Sequence, residues 1–172
     1  MNPHIQLFFD MMYACYGVNG WLFDPALASQ FTNSASPNLH SKLLLGLGRD
    51  KAILEHAASS DVPMIISDDL GLMWGIVEQK SGKQENIGDL YVLGPVVNKE
   101  FTTQMMEAMV APYNLSVQNK WNLISELRKI PKLTTVMFFQ QIIMLHYYVN
   151  GKKVRISNFD YHTPRQKTNL RR

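Results

Sequence analysis

Between Pro63 and Pro95 the chain switches repeatedly from apolar to polar: PMIIS, DDLG, LMWGIVE, QKSGKQENIGD, LYVLGP. The three apolar runs have the length of strands, and the polar breaks have the chemistry of connections. Asp68-Asp69-Leu70-Gly71 reads as a turn, because Asp tolerates unusual backbone angles and Gly supplies positive φ. Ser81 to Asn86 holds no apolar residue and reads as a loop. A parallel pair needs a crossover of about a dozen residues or more, so strands this close must pair antiparallel. The pattern therefore predicts a three-strand meander at Pro63–Ser67, Leu72–Val77 and Leu90–Leu93.

The flanking segments are periodic in other ways. Ile5, Phe8, Phe9, Met12 and Tyr13 recur at helical spacing from Pro3 to Tyr16, and Gly17 is suited to the C-cap. Trp21 to Asp24 reads as a strand, and Leu27 to Phe31 as its hairpin partner across Asp24-Pro25. Leu39 to Gly48 is ambiguous, with a short helix suggested by Leu43-Leu44-Leu45. Asp50 is placed to cap a helix over Lys51–Ala58. After the meander, helices are predicted from Lys99 to Ala111, where Pro112 stops the first, and from Ser116 toward Pro131. A third starts at Thr134 or Thr135 and runs to Asn150-Gly151. Gln140, Gln141 and His146 are its only polar side chains before Asn150, so it must be buried nearly all round. Val154-Arg155-Ile156 reads as a last short strand. The sum is an α+β fold: a five-stranded antiparallel sheet flanked by helices, on the plan of PAS and GAF sensor domains, with an apolar C-terminal helix.

Charge changes this picture at one end only. Residues 1–151 hold 10 Lys/Arg against 13 Asp/Glu, while residues 152–172 hold 7 against Asp160 alone. The body is slightly acidic and the net +3 comes from the tail, so any DNA binding should be weak, salt-sensitive and indifferent to sequence. The single Cys15 excludes an internal disulfide and fits a reducing compartment. The N-terminal apolar run lacks a preceding Lys or Arg and is broken by Asp10, and no apolar stretch reaches the roughly 18 residues of a membrane span. A soluble, cytoplasmic protein is expected.

Candidate chemistry is sparse. His4, His40, His56, His146 and His162 form no metal-ligand spacing with each other or with Cys15, and no cofactor motif is present. Gly46-Leu47-Gly48 lacks the Lys-Ser/Thr of a phosphate loop. There is no nucleophile elbow. The expectation is a protein that is not an enzyme and carries neither metal nor cofactor. Met and aromatic residues are abundant instead, and such side chains line adaptable pockets as readily as they fill cores.

The segments IISDDLGLMWGIVE, GDLYVLGPVV and HYYVNGKKVRISNFDY resemble parts of the N-terminal sensor region of bacterial AraC-family transcriptional regulators, with Asp89–Pro95 the best match. The resemblance spans about Trp21 to Tyr161. It implies a sensor domain over residues 1–151, a basic linker or tail over 152–172, a small-molecule effector, a homodimer, and DNA contact only through a C-terminal helix-turn-helix domain absent from this sequence. On that reading Trp21, Phe23, Met64, Ile66, Trp74 and Tyr91 are the candidate effector-binding residues, in an apolar pocket between sheet and helices. Phe138, Phe139, Ile142, Leu145 and Tyr148 are the candidate dimer contacts. The alternative is a pure dimerisation or interaction module with no ligand.

Overall fold

The computed structural model describes residues 1–68, 71–80 and 86–163. Asp69-Leu70 of the predicted turn, residues 81–85 of the predicted loop and residues 164–172 of the basic tail lie outside the described residues. The chain runs α1 (Pro3–Tyr16), β1 (Gly20–Phe23), β2 (Ser29–Thr32), α2 (Pro37–Leu45), α3 (Arg49–Ser59), β3 (Met64–Ser67), β4 (Leu72–Glu78), β5 (Leu90–Val97), α4 (Thr103–Val110), α5 (Val117–Leu127), α6 (Thr135–Asn150) and β6 (Asp160–His162), with single 3-10 turns at Ala111–Tyr113 and Ile156–Asn158. None of the described helices is long and apolar enough to cross a membrane.

The strand order is β2-β1-β5-β4-β3-β6. The first five strands pair antiparallel, as the sequence predicts. The sixth adds in parallel beside β3, so the sheet is six-stranded and mixed rather than five-stranded and antiparallel. The segment Val154–Ile156 is not a strand. Pairing begins only at Asp160, whose amide donates to the Pro63 carbonyl at 3.0 Å. A three-residue strand is too short to carry a periodic signal, which is why the sequence misplaces it.

The helices form two layers, one on each face of the sheet. Alternate strand residues sort accordingly. Trp21, Phe23, Met64, Ile66, Leu72, Trp74, Ile76, Leu90 and Val92 face a core shared with α2, α3, α4 and α5. Leu22, Ile65, Met73, Val77, Tyr91 and Leu93 face a second core shared with α1 and α6. Every residue of β1, β4 and β5 is consequently buried, which accounts for runs that show no apolar–polar alternation.

The alternation slips once. Met73 pairs with Val96 and Gly75 with Leu93, so Gly94 and Pro95 together oppose Trp74 alone. That is a β-bulge. It returns Val96 to the α1–α6 face and Val97 to the other. Gly94 adopts φ +133, and its carbonyl accepts the Trp21 indole N–H at 3.0 Å.

Capping is largely as the sequence predicts: Ser116 and Thr134 accept from amides of their first turns, and Gly17 and Gly151 end α1 and α6 in the left-handed conformation; Asn2, which the sequence reading does not single out, caps α1 by accepting the His4 amide. Two starts differ. The helix expected from Lys99 begins at Thr103, with the Thr102 hydroxyl as its cap. Asp50 does not cap α3. Gly48 is the N-cap, and Asp50 sits in the first turn, where a carboxylate still suits the helix dipole.

Candidate functional site

The six residues proposed for an apolar pocket do not share one site. Trp21, Phe23, Met64, Ile66 and Trp74 meet in the core under α2–α5, whereas Tyr91, one residue out of phase with Leu90 and Val92, points into the α1–α6 core. All six are at least 96 % buried. The Trp21 ring stacks on Phe23 at 5.8 Å between centroids and meets Trp74 at 6.3 Å. None of the six lines any of the three surface cavities described below.

The dimer contacts proposed on α6 need a correction. Phe138, Phe139, Ile142 and Leu145 are buried against the sheet within the same chain, and only Tyr148 reaches solvent. The reason is a notch in β4. A side chain at Gly75 would overlap Ile142, so this strand glycine lets α6 settle closely onto the sheet with its 138-142-145 stripe inward. Gly20 plays the same part for α1, since a side chain there would overlap the Phe9 ring. Both ends of α6 are tied down. Asn98 Nδ2 donates to Thr135 Oγ1 at 3.1 Å, and Asn150 Nδ2 donates to the Glu78 carbonyl at 2.9 Å.

With that stripe turned in, α6 presents Val136, Met137, Gln140, Met144, Tyr147 and Tyr148 outward. The outward side of α1 carries His4, Leu7, Met11, Ala14 and Cys15. The two helices touch, with Phe8 and Tyr148 ring centroids 5.6 Å apart. Across the 30 residues of α1 and α6 the only formal charge is Asp10. A largely apolar hollow of about 290 Å³ opens among Ile143, Met144, Tyr147, Tyr148, Lys153 and Val154.

Two larger clefts mix polar and apolar groups. One, of about 650 Å³, lies at the C-terminal end of α6 between Asp61, Lys80, His146, Asn150, Lys152 and Lys153. The Lys80 ammonium is already engaged there, 2.7 Å from the Glu78 carboxylate and 3.0 Å from the Ala57 carbonyl. Burial lowers the pKa of His146; Asp61 opposes that shift and Lys152 adds to it.

The other, of about 520 Å³, lies where both helical layers meet one end of the sheet. It is bounded by the end of α1, by Asn19, by His40 on α2, by Pro95 of the bulge and by Glu126 at the end of α5. His40 is 93 % buried. Its Nδ1 lies 2.8 Å from Ser34 Oγ and 3.5 Å from Asn19 Nδ2. Ser34 Oγ also accepts the Ser36 amide at 3.1 Å, so its proton is free to go to the imidazole. Two donors thus converge on Nδ1 and leave the ring proton on Nε2, which has no hydrogen-bond partner among the described residues. Burial lowers the His40 pKa, with Glu126 opposing. Burial also disfavours ionised Glu126, but the Ser36 hydroxyl, Lys129 and His40 together outweigh it and hold the carboxyl below its ordinary range. Burial thus favours the neutral imidazole of His40, and Ser36 and Lys129 favour the ionised carboxylate of Glu126, on one cleft. Sequence reading treats His40 as one of five scattered histidines; the Ser34 contact, six residues away, is the one local signal for it.

Among the described residues no group of His, Cys, Asp and Glu is arranged to hold a metal ion. No family model, no curated protein and no solved structure matches the chain.

Proposed function

We propose that this chain is a homodimerising regulatory domain, the sensor part of a transcription regulator of the AraC type, and that the outward face of α1 and α6 is its dimer interface. The observation that carries the reading is the composition of that face. Met137, Gln140, Met144 and Tyr147 follow the 3-4-3 spacing of a coiled-coil seam, as do His4, Leu7, Met11 and Ala14 beside them. A second copy is the fitting occupant. A nearly uncharged face with two parallel stripes is self-complementary across a two-fold axis, while a charged partner would find only Asp10 on the two helices and Lys153 at the hollow to pair with. Two helices of this length lying about 10 Å apart present a face of roughly 20 by 24 Å, so a two-fold contact buries about 1,000 Å² or more, enough for a specific interface. The apolar hollow beside Met144 and Tyr147 is suited to receive an anchor side chain from the second copy.

Sedimentation velocity at micromolar concentration tests the reading. A dimer is expected for the native chain, and a folded monomer for the double substitution Met144→Lys, Tyr147→Lys. A native chain that stays at its monomer mass of 19.7 kDa overturns it. The close ring packing of Trp21, Phe23 and Trp74 favours a second reading, dimerisation with no ligand in the sheet core.

A further inference from the structure

We infer that the cleft between the two helical layers, at His40 and Glu126, is a binding site for a small neutral ligand with an alcohol or phenol hydroxyl on an apolar body. Three features specify that chemistry. The His40 Nε2–H is a buried donor without an acceptor, and leaving such a group unpaired is costly enough that native structures rarely do so. The Glu126 carboxylate on the same cleft, whose Oε1 already accepts from the Lys129 ammonium at 3.0 Å, has lone pairs left to accept another donor. A hydroxyl is the complement of that pair, since one oxygen can accept from the imidazole while its proton goes to the carboxylate. The rest of the wall (Ala14, Ala35, Pro95, Ile130, Pro131) offers apolar contact for a ring or short alkyl body. An anionic ligand would face Glu126, and a cationic one would face the imidazole donor and Lys129.

The position gives binding a consequence. The walls come from α1 on one side of the sheet, from α2 and α5 on the other, and from the Gly94-Pro95 bulge between them. An occupant bridges both helical layers and touches the base of α1, whose outward stripe belongs to the proposed dimer face. The inference rests on the regulatory reading for its purpose, but the binding chemistry stands without it.

The test uses the full chain with histidine labelled in ¹⁵N and three one-ring probes: phenol, anisole and benzoate. Phenol should shift the His40 ring resonances saturably in the millimolar range expected for a one-ring fragment. Anisole, which cannot donate, and benzoate, which is an anion, should bind about tenfold more weakly or not at all. Glu126→Gln, a change at the cleft margin that keeps shape and removes charge, should weaken phenol and narrow its margin over benzoate. Equal responses to phenol and anisole, or no saturable shift at His40 with phenol, would overturn the inference and leave an ordered water as the partner of Nε2. Sedimentation of the same samples keeps the two proposals apart. Phenol binding by a monomer supports the site and removes the dimer, whereas a dimer blind to phenol does the reverse.

Discussion

The two helical layers bury similar cores and differ in what they show to the outside. The α2–α5 layer carries eight formally charged residues within its four helices, and its large exposed apolar side chains are Val117 and Trp121, the latter with the Lys120 ammonium 5.4 Å from its ring. The α1–α6 layer carries one charge and nine exposed Leu, Met, Val or Tyr side chains. A solvated layer needs charge, and scattered single apolar residues on it require no explanation. A continuous uncharged face does require one, because soluble monomers rarely carry such a patch. The outward sides of the helices, not the cores beneath them, thus separate a charged, solvated layer from the uncharged one proposed as the dimer face.

The sharpest way to break this contrast is to lift one layer from the sheet. Gly75→Val should cost about 3 kcal/mol or more, because the new side chain overlaps Ile142 on a helix tied down at both ends. Urea unfolding reads the loss, and a fall under about 1 kcal/mol would mean that α6 slides easily over β4.

A smaller effect of opposite sign is expected from Gln141→Met. Gln141 is buried on α6 with neither polar atom of its amide bonded within the described residues. An apolar side chain of similar shape removes that desolvation penalty and should stabilise by about 1 kcal/mol.

Each layer also holds one buried histidine, His40 in α2 and His146 in α6, and burial lowers the pKa of both. The fold favours their neutral forms, so their contribution is complete above the ordinary value of 6.5 and is lost as pH falls below it through the lowered folded values. Stability should therefore decline on acidification, and His40→Gln and His146→Gln should each flatten part of that slope in urea midpoints measured across the range.

The smallest change to the fold should come from single charges placed outside. Met144→Glu and Val117→Glu should each alter stability by no more than about 0.5 kcal/mol, yet only the former should shift the sedimentation coefficient. If Val117→Glu dissociates the particle instead, the layers have been assigned the wrong way round.

Much of this architecture is legible in the sequence. The caps at Ser116 and Thr134, the glycine stops at Gly17 and Gly151, and the antiparallel order of β3, β4 and β5 follow from local chemistry. The second helical layer does not. Once a strand is covered on both faces, LYVL no longer alternates, and nothing in it tells Tyr91 from Val92. The inward face of α6 is hidden for the same reason, since the deciding residue, Gly75, lies some 67 positions away in a strand. The cleft at His40 is least legible of all, being assembled from four separate segments.

The parallel strand β6 has one more consequence, for self-association of a different kind. Met64-Ile65-Ile66-Ser67 is an apolar edge that would otherwise offer its backbone groups to any passing chain. Three residues, Asp160 to His162, cover it, pinned by Asp160 Oδ2 lying 3.1 Å from His56 Nδ1 on α3. Such a short cover can open without the rest of the sheet unfolding, so resistance to fibrillar aggregation rests on a latch far weaker than the fold it protects.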